Sequence, residues 1–198
     1  LHVCNKNMEN MDTNNDGKAK DNLLLEVCMA AKYEGETLRR QHDEHKLTNR
    51  DTKSQLCTVL ARSFADIGDI VRGRDLYRGN NGKDKLEENL KNIFGKIHSD
   101  VTNGKNAKKG AKDRYKDIKN YFQLREDWWD ANRLDVWKAI TCDAPESAKY
   151  FRQTCGGDEN TATQASHKCR CGDGKSKVGT NETDQVPTYF DYVPQYLR

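Results

Sequence analysis

The stretch ARSFADIGDIVRGRDLY, residues 61–77, decides how the chain is read. It lays two glycines, three aspartates and three arginines over a regular apolar repeat. Starting at Thr52, Leu56, Val59, Leu60, Phe64, Ile67, Ile70 and Val71 recur at helical spacing and run straight through it. A phosphate-binding loop would put Lys and Ser or Thr after the second glycine and a strand before the first. Here Gly68 and Gly73 have the glycine spacing, but Arg74 and Asp75 follow and the flanks are helical. Gly68 therefore falls inside a helix and Gly73 stops it. Arg62, Asp66 and Asp69 read as a solvated charged row; as an acid–base pair the aspartates lack a nucleophile and a pocket. The stretch is scaffold, not an active site.

Outward from it, the same period predicts further helices. One spans 18–46, with Leu23, Leu24, Val27, Ala31 and Leu38 on one face and Asp12, Asn14 or Asp16 as cap. The pair His42 and His45 falls on its polar surface. Another spans 84–98, with Leu86, Leu90, Ile93, Phe94 and Ile97 inward. After a loop at 102–110, a long helix is expected over 111–142. It places Phe122, Trp129, Val136 and Ile140 on one side and Leu124, Trp128, Ala131 and Leu134 on another, as in the middle of a bundle. A short segment follows from Pro145 to Phe151, then a polar, Gly- and Cys-rich loop over 153–187, then a helix over 188–198. No strand stands out by period-two alternation. The fold class is all-α: a disulfide-stapled helical bundle with long loops.

Composition explains the staples. Leu, Ile, Val and Phe make up only 34 of 198 residues, and a third of the chain is charged, yet the net charge is only +3. That is a folded protein with a thin core, outside the disordered class that pairs few apolar residues with high net charge. Cys4, Cys28, Cys57, Cys142, Cys155, Cys169 and Cys171 compensate as disulfides, which implies an oxidising, extracellular setting. The odd number leaves one thiol over. No apolar run reaches membrane-spanning length. The chain reads as a piece of a longer secreted or surface-displayed protein, truncated at both ends.

The sequence carries three motifs with possible chemistry. Asp12, Asn14, Asp16 and Gly17 match the start of a calcium loop, but Leu23 stands where its bidentate Glu belongs, so a helix-entry turn is the better reading. Cys155, His167, Cys169 and Cys171 could be imagined around zinc, but the spacing is irregular and disulfides account for the same cysteines. Asn181-Glu182-Thr183 is a glycosylation sequon. No metal site, cofactor or catalytic residue is expected, and the chain is not read as an enzyme. The strongest surface signal is the run 103–119. There Lys105, Lys108, Lys109, Lys112, Arg114, Lys116 and Lys119 face only Asp113 and Asp117, a local net charge of +5. A Gly-rich loop feeding a basic helix suits a polyanion. An extracellular setting favours sulfated glycan over nucleic acid, for which no stacking motif is present.

LHVCNKNMENM (1–11), LLLEVCMAAKYEG (23–35), SFADIGDIVRGRDLY (63–77), REDWWDANRLDVWKAITC (125–142) and VPTYFDYVPQYLR (186–198) closely resemble the alpha class of Duffy-binding-like domains. Those belong to the variant erythrocyte membrane protein 1 family of malaria parasites, and the resemblance covers 1–198. It implies a helical adhesin module on the extracellular face of the infected red-cell membrane, within a larger membrane-anchored protein. It further implies one region, mainly the central helical subdomain of three. Cys4 would pair upstream; the other six would close three bridges, with Cys28–Cys142, and Cys57 to either Cys169 or Cys171, as candidates. Implied partners are host red-cell or endothelial receptors, heparan sulfate-type and blood-group glycans, complement receptor 1 and host antibodies, with no nucleic acid and no membrane insertion. The competing reading is a structural, antigenically variable spacer without a ligand of its own.

Overall fold

The computed structural model describes residues 4, 6–9, 18–49, 55–75, 85–103, 107, 109–156, 161–172 and 185–198. In chain order these form α1 (Lys6–Glu9), α2 (Ala19–Thr48), α3 (Leu56–Arg72), α4 (Lys85–Asn103), α5 (Ala111–Arg114) and α6 (Phe122–Ile140). A two-stranded ribbon follows, β1 (Gln153–Cys155) and β2 (Thr163–Gln164), then two 3₁₀ turns at Phe190–Tyr192 and Gln195–Leu197. The all-α expectation holds. The small antiparallel ribbon is an addition that two- and three-residue strands are too short to announce by alternation.

The stripe in α3 forms as its period demands. Leu56, Leu60, Phe64, Ile67 and Val71 are buried, and Phe64 packs on Trp129 at 5.1 Å and edge-on to Trp137 at 5.2 Å. Burying a Phe of this kind stabilises by about 2–3 kcal/mol. Gly68 is inside the helix because a Cβ there would meet the Trp129 ring at 2.8 Å. Gly73 ends it with φ 71°, its N–H bonding Ile70 O while Arg74 N–H reaches back to Asp69 O. α6 packs against both α2 and α3, which also meet each other, with Trp128, Trp129, Val136, Trp137 and Ile140 buried. Phe94 of α4 meets Trp128 edge-on at 6.1 Å.

Five expectations are corrected. The helix over 111–142 is broken: α5 ends at Arg114, and α6 starts only after Tyr121, which takes φ 58°. The Asp117 carboxylate causes the break by accepting N–H bonds from Lys119, Asn120 and Phe122. Phe122 and Ala131, expected inward, are exposed. The row at Asp66 and Asp69 is not solvated. Asp69 is buried between Arg72 and Arg198, and Arg198 also holds Asp66 at 3.0 Å. His42, expected on the polar surface, is buried, while His45 is exposed. The helix expected over 188–198 is a pair of 3₁₀ turns, because Pro194 interrupts it and buried Asp191 ties it down.

Two bridges close: Cys57–Cys169 and Cys155–Cys171. The first spans 112 residues and the second 16. Loop-closure entropy therefore makes the first worth about 5 kcal/mol and the second about 3. They consume Cys155, Cys169 and Cys171, and with them the zinc arrangement; among the described residues no group of three or more ligating side chains is placed to hold a metal. Cys28–Cys142 is not formed; both thiols, like Cys4, are free. Cys28 stands near Asp135, seven residues and about 10 Å of helix before Gly35, which meets Ile140. Cys142 lies past that crossing, near Arg170. Burial and the Asp135 charge push the Cys28 thiol up to about 11. Burial, then the Glu34 carboxylate, raises Cys4 as well, so both stay protonated and unreactive at neutral pH. The calcium-like loop over 12–17 and the sequon at 181–183 lie outside the described residues.

Candidate adhesion surface

From residue 109 onward the basic run is a structured link, not a continuous helix. Lys105 and Lys108 lie outside the described residues; Lys109, Lys112, Lys116 and Lys119 are exposed, with no ion-pair partner among the described residues. Two of the three other charged groups of the run, Asp117 and Arg114, are engaged by neighbouring parts of the fold. Asp117 closes the turn before α6, and its three N–H donors, Asn120 first, hold its carboxyl below the usual range. Arg114, expected among the binding cations, instead spans to Asp127 of α6, with Nε donating at 2.5 Å and Nη2 at 2.7 Å. Asp127 also accepts from the Tyr115 hydroxyl at 2.9 Å and the Gln123 amide at 2.9 Å. Across the link, His98 of α4 bonds the Tyr115 carbonyl at 2.9 Å through Nε2 and stacks obliquely on Tyr121 at 5.5 Å. The link is thus pinned to α4 and α6, with four lysines outward and Asp113 as the exposed acid beside them.

A second set of charges lies inside, where periodicity gave no notice of it. Arg125 is fully buried. It donates to the carbonyls of Val71 at 2.6 Å and Ile70 at 3.0 Å, and grips Glu87 with both Nη atoms at 2.8 and 2.9 Å. Arg133 takes Asp191 in a two-pronged pair at 2.8 Å, and the Trp129 indole N–H completes that carboxylate at 3.0 Å. Arg72 bonds Gly68 O, Asp69 and the Asp191 carbonyl. The signal that could have found these groups was present: Arg125 and Arg133 interrupt a helix apolar on two sides, and a charge there needs a buried partner. Their carboxylate partners sit 38 and 58 residues away in sequence, so the residues themselves could not name them.

An open cleft of about 170 Å³ is lined by Asp69, Arg74, Asp191, Tyr192, Pro194 and Tyr196, whose two carboxylates are committed to arginines. Among the described residues no helix is long and apolar enough to cross a membrane.

The family model of the Duffy binding domain matches residues 1–198, end to end. The chain belongs to the Duffy binding domain family. The family is one of adhesion domains, not of enzymes. The NTS-DBL1(alpha-1) domain of Plasmodium falciparum membrane protein 1 (PfEMP1), varO strain, superposes with a TM-score of 0.75 at 42% identity over 99% of this chain and 40% of that one. The ICAM-1-binding PfEMP1 IT4var13 DBLbeta domain gives 0.63 at 32% identity, over 100% of this chain and 39% of that one. The Duffy receptor gamma form of Plasmodium knowlesi is 26% identical over 113 residues, 57% of this chain and 8% of that protein. The present Duffy binding domain chain thus spans about two fifths of the solved relatives it matches.

Proposed function

We propose that this chain is the central helical part of a PfEMP1-type adhesin, displayed on the infected red cell within a larger membrane-anchored protein. It would bind host-cell sulfated glycan through Lys109, Lys112, Lys116 and Lys119, with Lys105 and Lys108 extending the same run. The carrying observation is the division of charge: the run's interior Asp117 and Arg114 are spent on the fold, which leaves an array of unpaired lysines on a pinned link. The alpha-class likeness and the ICAM-1 complex of a DBLbeta relative support an adhesive role. Complement receptor 1, blood-group sugars and host antibodies are further partners within this reading, on surfaces the lysines do not define.

Heparin binding by the oxidised chain across a salt series tests it. By analogy with phosphate polyanions, four engaged lysines give a log–log slope near four, so doubling the salt weakens binding about 10-fold. Lys109→Glu/Lys112→Glu/Lys116→Glu should abolish that binding while leaving the fold intact. Undiminished binding in this variant would move the site elsewhere. No binding by either protein would favour the ligand-free spacer.

A further inference from the structure

We propose that Asp127 is the positioning residue of the lysine array: it holds the 109–121 link in its binding shape without touching ligand. This rests on the glycan reading above. Four hydrogen bonds converge on this one carboxylate, two from Arg114, one from Tyr115 and one from Gln123. Three of the four come from the link itself, from residues that follow Lys112 and precede Lys116. Asp127 sits on the second turn of α6, a helix whose neighbouring residues Trp128 and Trp129 are buried in the core. Its position is therefore set by the bundle, and the link inherits that position. The Arg114 hydrogen bonds hold its carboxyl below the usual range, so the anchor stays charged across the physiological window.

The arrangement inverts the simple electrostatic expectation. Asp127 is an acid beside a polyanion site, and removing an acid from a basic surface ordinarily strengthens anion binding. Arg114, in turn, is a cation whose forked donors are occupied by a carboxylate, so it is not in the array. Ordering the link before the ligand arrives reduces the entropy lost on binding, and losing the anchor returns that cost. The inference is that organisation outweighs charge here.

The test uses the oxidised chain, with heparin as probe, in wild type, Asp127→Ala, Arg114→Ala, the double variant and Asp127→Glu. Asp127→Ala should weaken heparin binding 3- to 10-fold despite raising the net charge. Arg114→Ala should weaken it by a similar factor, the double variant no further than either single change, and Asp127→Glu should recover part of the loss. Equal or tighter binding by Asp127→Ala overturns the proposal, as does additive loss in the double variant, which would make Arg114 a direct ligand contact. Amide hydrogen exchange over 109–121 separates this failure from failure of the glycan reading. If wild type does not bind heparin, the glycan reading falls. The positioning role then stands if exchange in this segment quickens at least 10-fold in Asp127→Ala, and falls if it is unchanged.

Discussion

Gly35→Ala sets two well-known effects against each other inside α2. Alanine is the better helix former by about 1 kcal/mol, so propensity alone predicts a more stable protein. The crossing of α2 and α6 predicts the reverse. A Cβ on Gly35 would lie 2.1 Å from the Ile140 carbonyl oxygen and 2.9 Å from its carbon. Both atoms are backbone, so no rotamer change relieves the clash, and the two helices must part by about 1 Å to restore van der Waals distance. That separation would loosen Ile140, Trp137 and Ala31, all fully buried or nearly so. Overpacking of this severity costs about 3 kcal/mol, which leaves a net loss of about 2 kcal/mol after the propensity gain. The assay is urea unfolding of the disulfide-intact protein, followed by tryptophan fluorescence and far-ultraviolet circular dichroism together. A fall in the midpoint with unchanged slope is the expected result. A midpoint equal to or above wild type would refute the close crossing of these helices.

Two further outcomes follow from the buried charges. Arg125→Met should cost about 3–5 kcal/mol, because Glu87 and two helix-end carbonyls lose their donor; adding Glu87→Gln should recover part of it, and urea unfolding of the single and double variants checks both. Asp66 titrates near pH 6 in the folded chain against 3.8 as the reference, chiefly through burial, with Arg198 opposing and Asp69, Asp75 and Glu34 adding to the rise. Its folded pKa is raised, so its contribution favours the folded state fully below about pH 4 and is lost as pH rises through 6. Asp66→Asn should therefore remove up to about 3 kcal/mol of pH-dependent stability between pH 4 and 6, seen as a flatter profile in denaturant midpoints; an unchanged profile would refute the assignment.

The helices α2, α3 and α4 were legible because each carries a one-sided apolar stripe, and the period is all that a one-sided helix needs. The stop at Gly73 was legible for a local reason, a glycine at the end of the stripe. The break before α6 was not, because KDIKNYF contains no glycine or proline. It is Asp117 that ends the helical path, through hydrogen bonds a sequence does not display. The burial of Asp69 is illegible in the same way, since its partner Arg198 is 129 residues away. At the candidate surface, the seven basic residues were visible as a charge run, but the pairing that sets exposed Arg114 apart from Lys109, Lys112, Lys116 and Lys119 was not, because it depends on Asp127, whose position is fixed by the core and not by the run. The cysteines announced staples without announcing pairs, since spacing does not encode connectivity.

These internal charges bear on how such a domain can vary its surface. With so few Leu, Ile, Val and Phe, the chain does not rely on apolar area alone; Arg72, Arg125, Arg133 and Arg198 all lie inside, each on at least one carboxylate. Buried ion pairs add little net stability over an apolar filling, but a misregistered packing would strand a charge, which costs several kcal/mol. Their effect is therefore to fix which helix meets which, and where. A scaffold specified from within, and stapled at Cys57–Cys169, leaves exposed positions such as Lys109, Lys112, Lys116 and Lys119 free to change without altering the bundle. Binding specificity can then drift on the outside of a fold whose internal pairs hold its geometry constant.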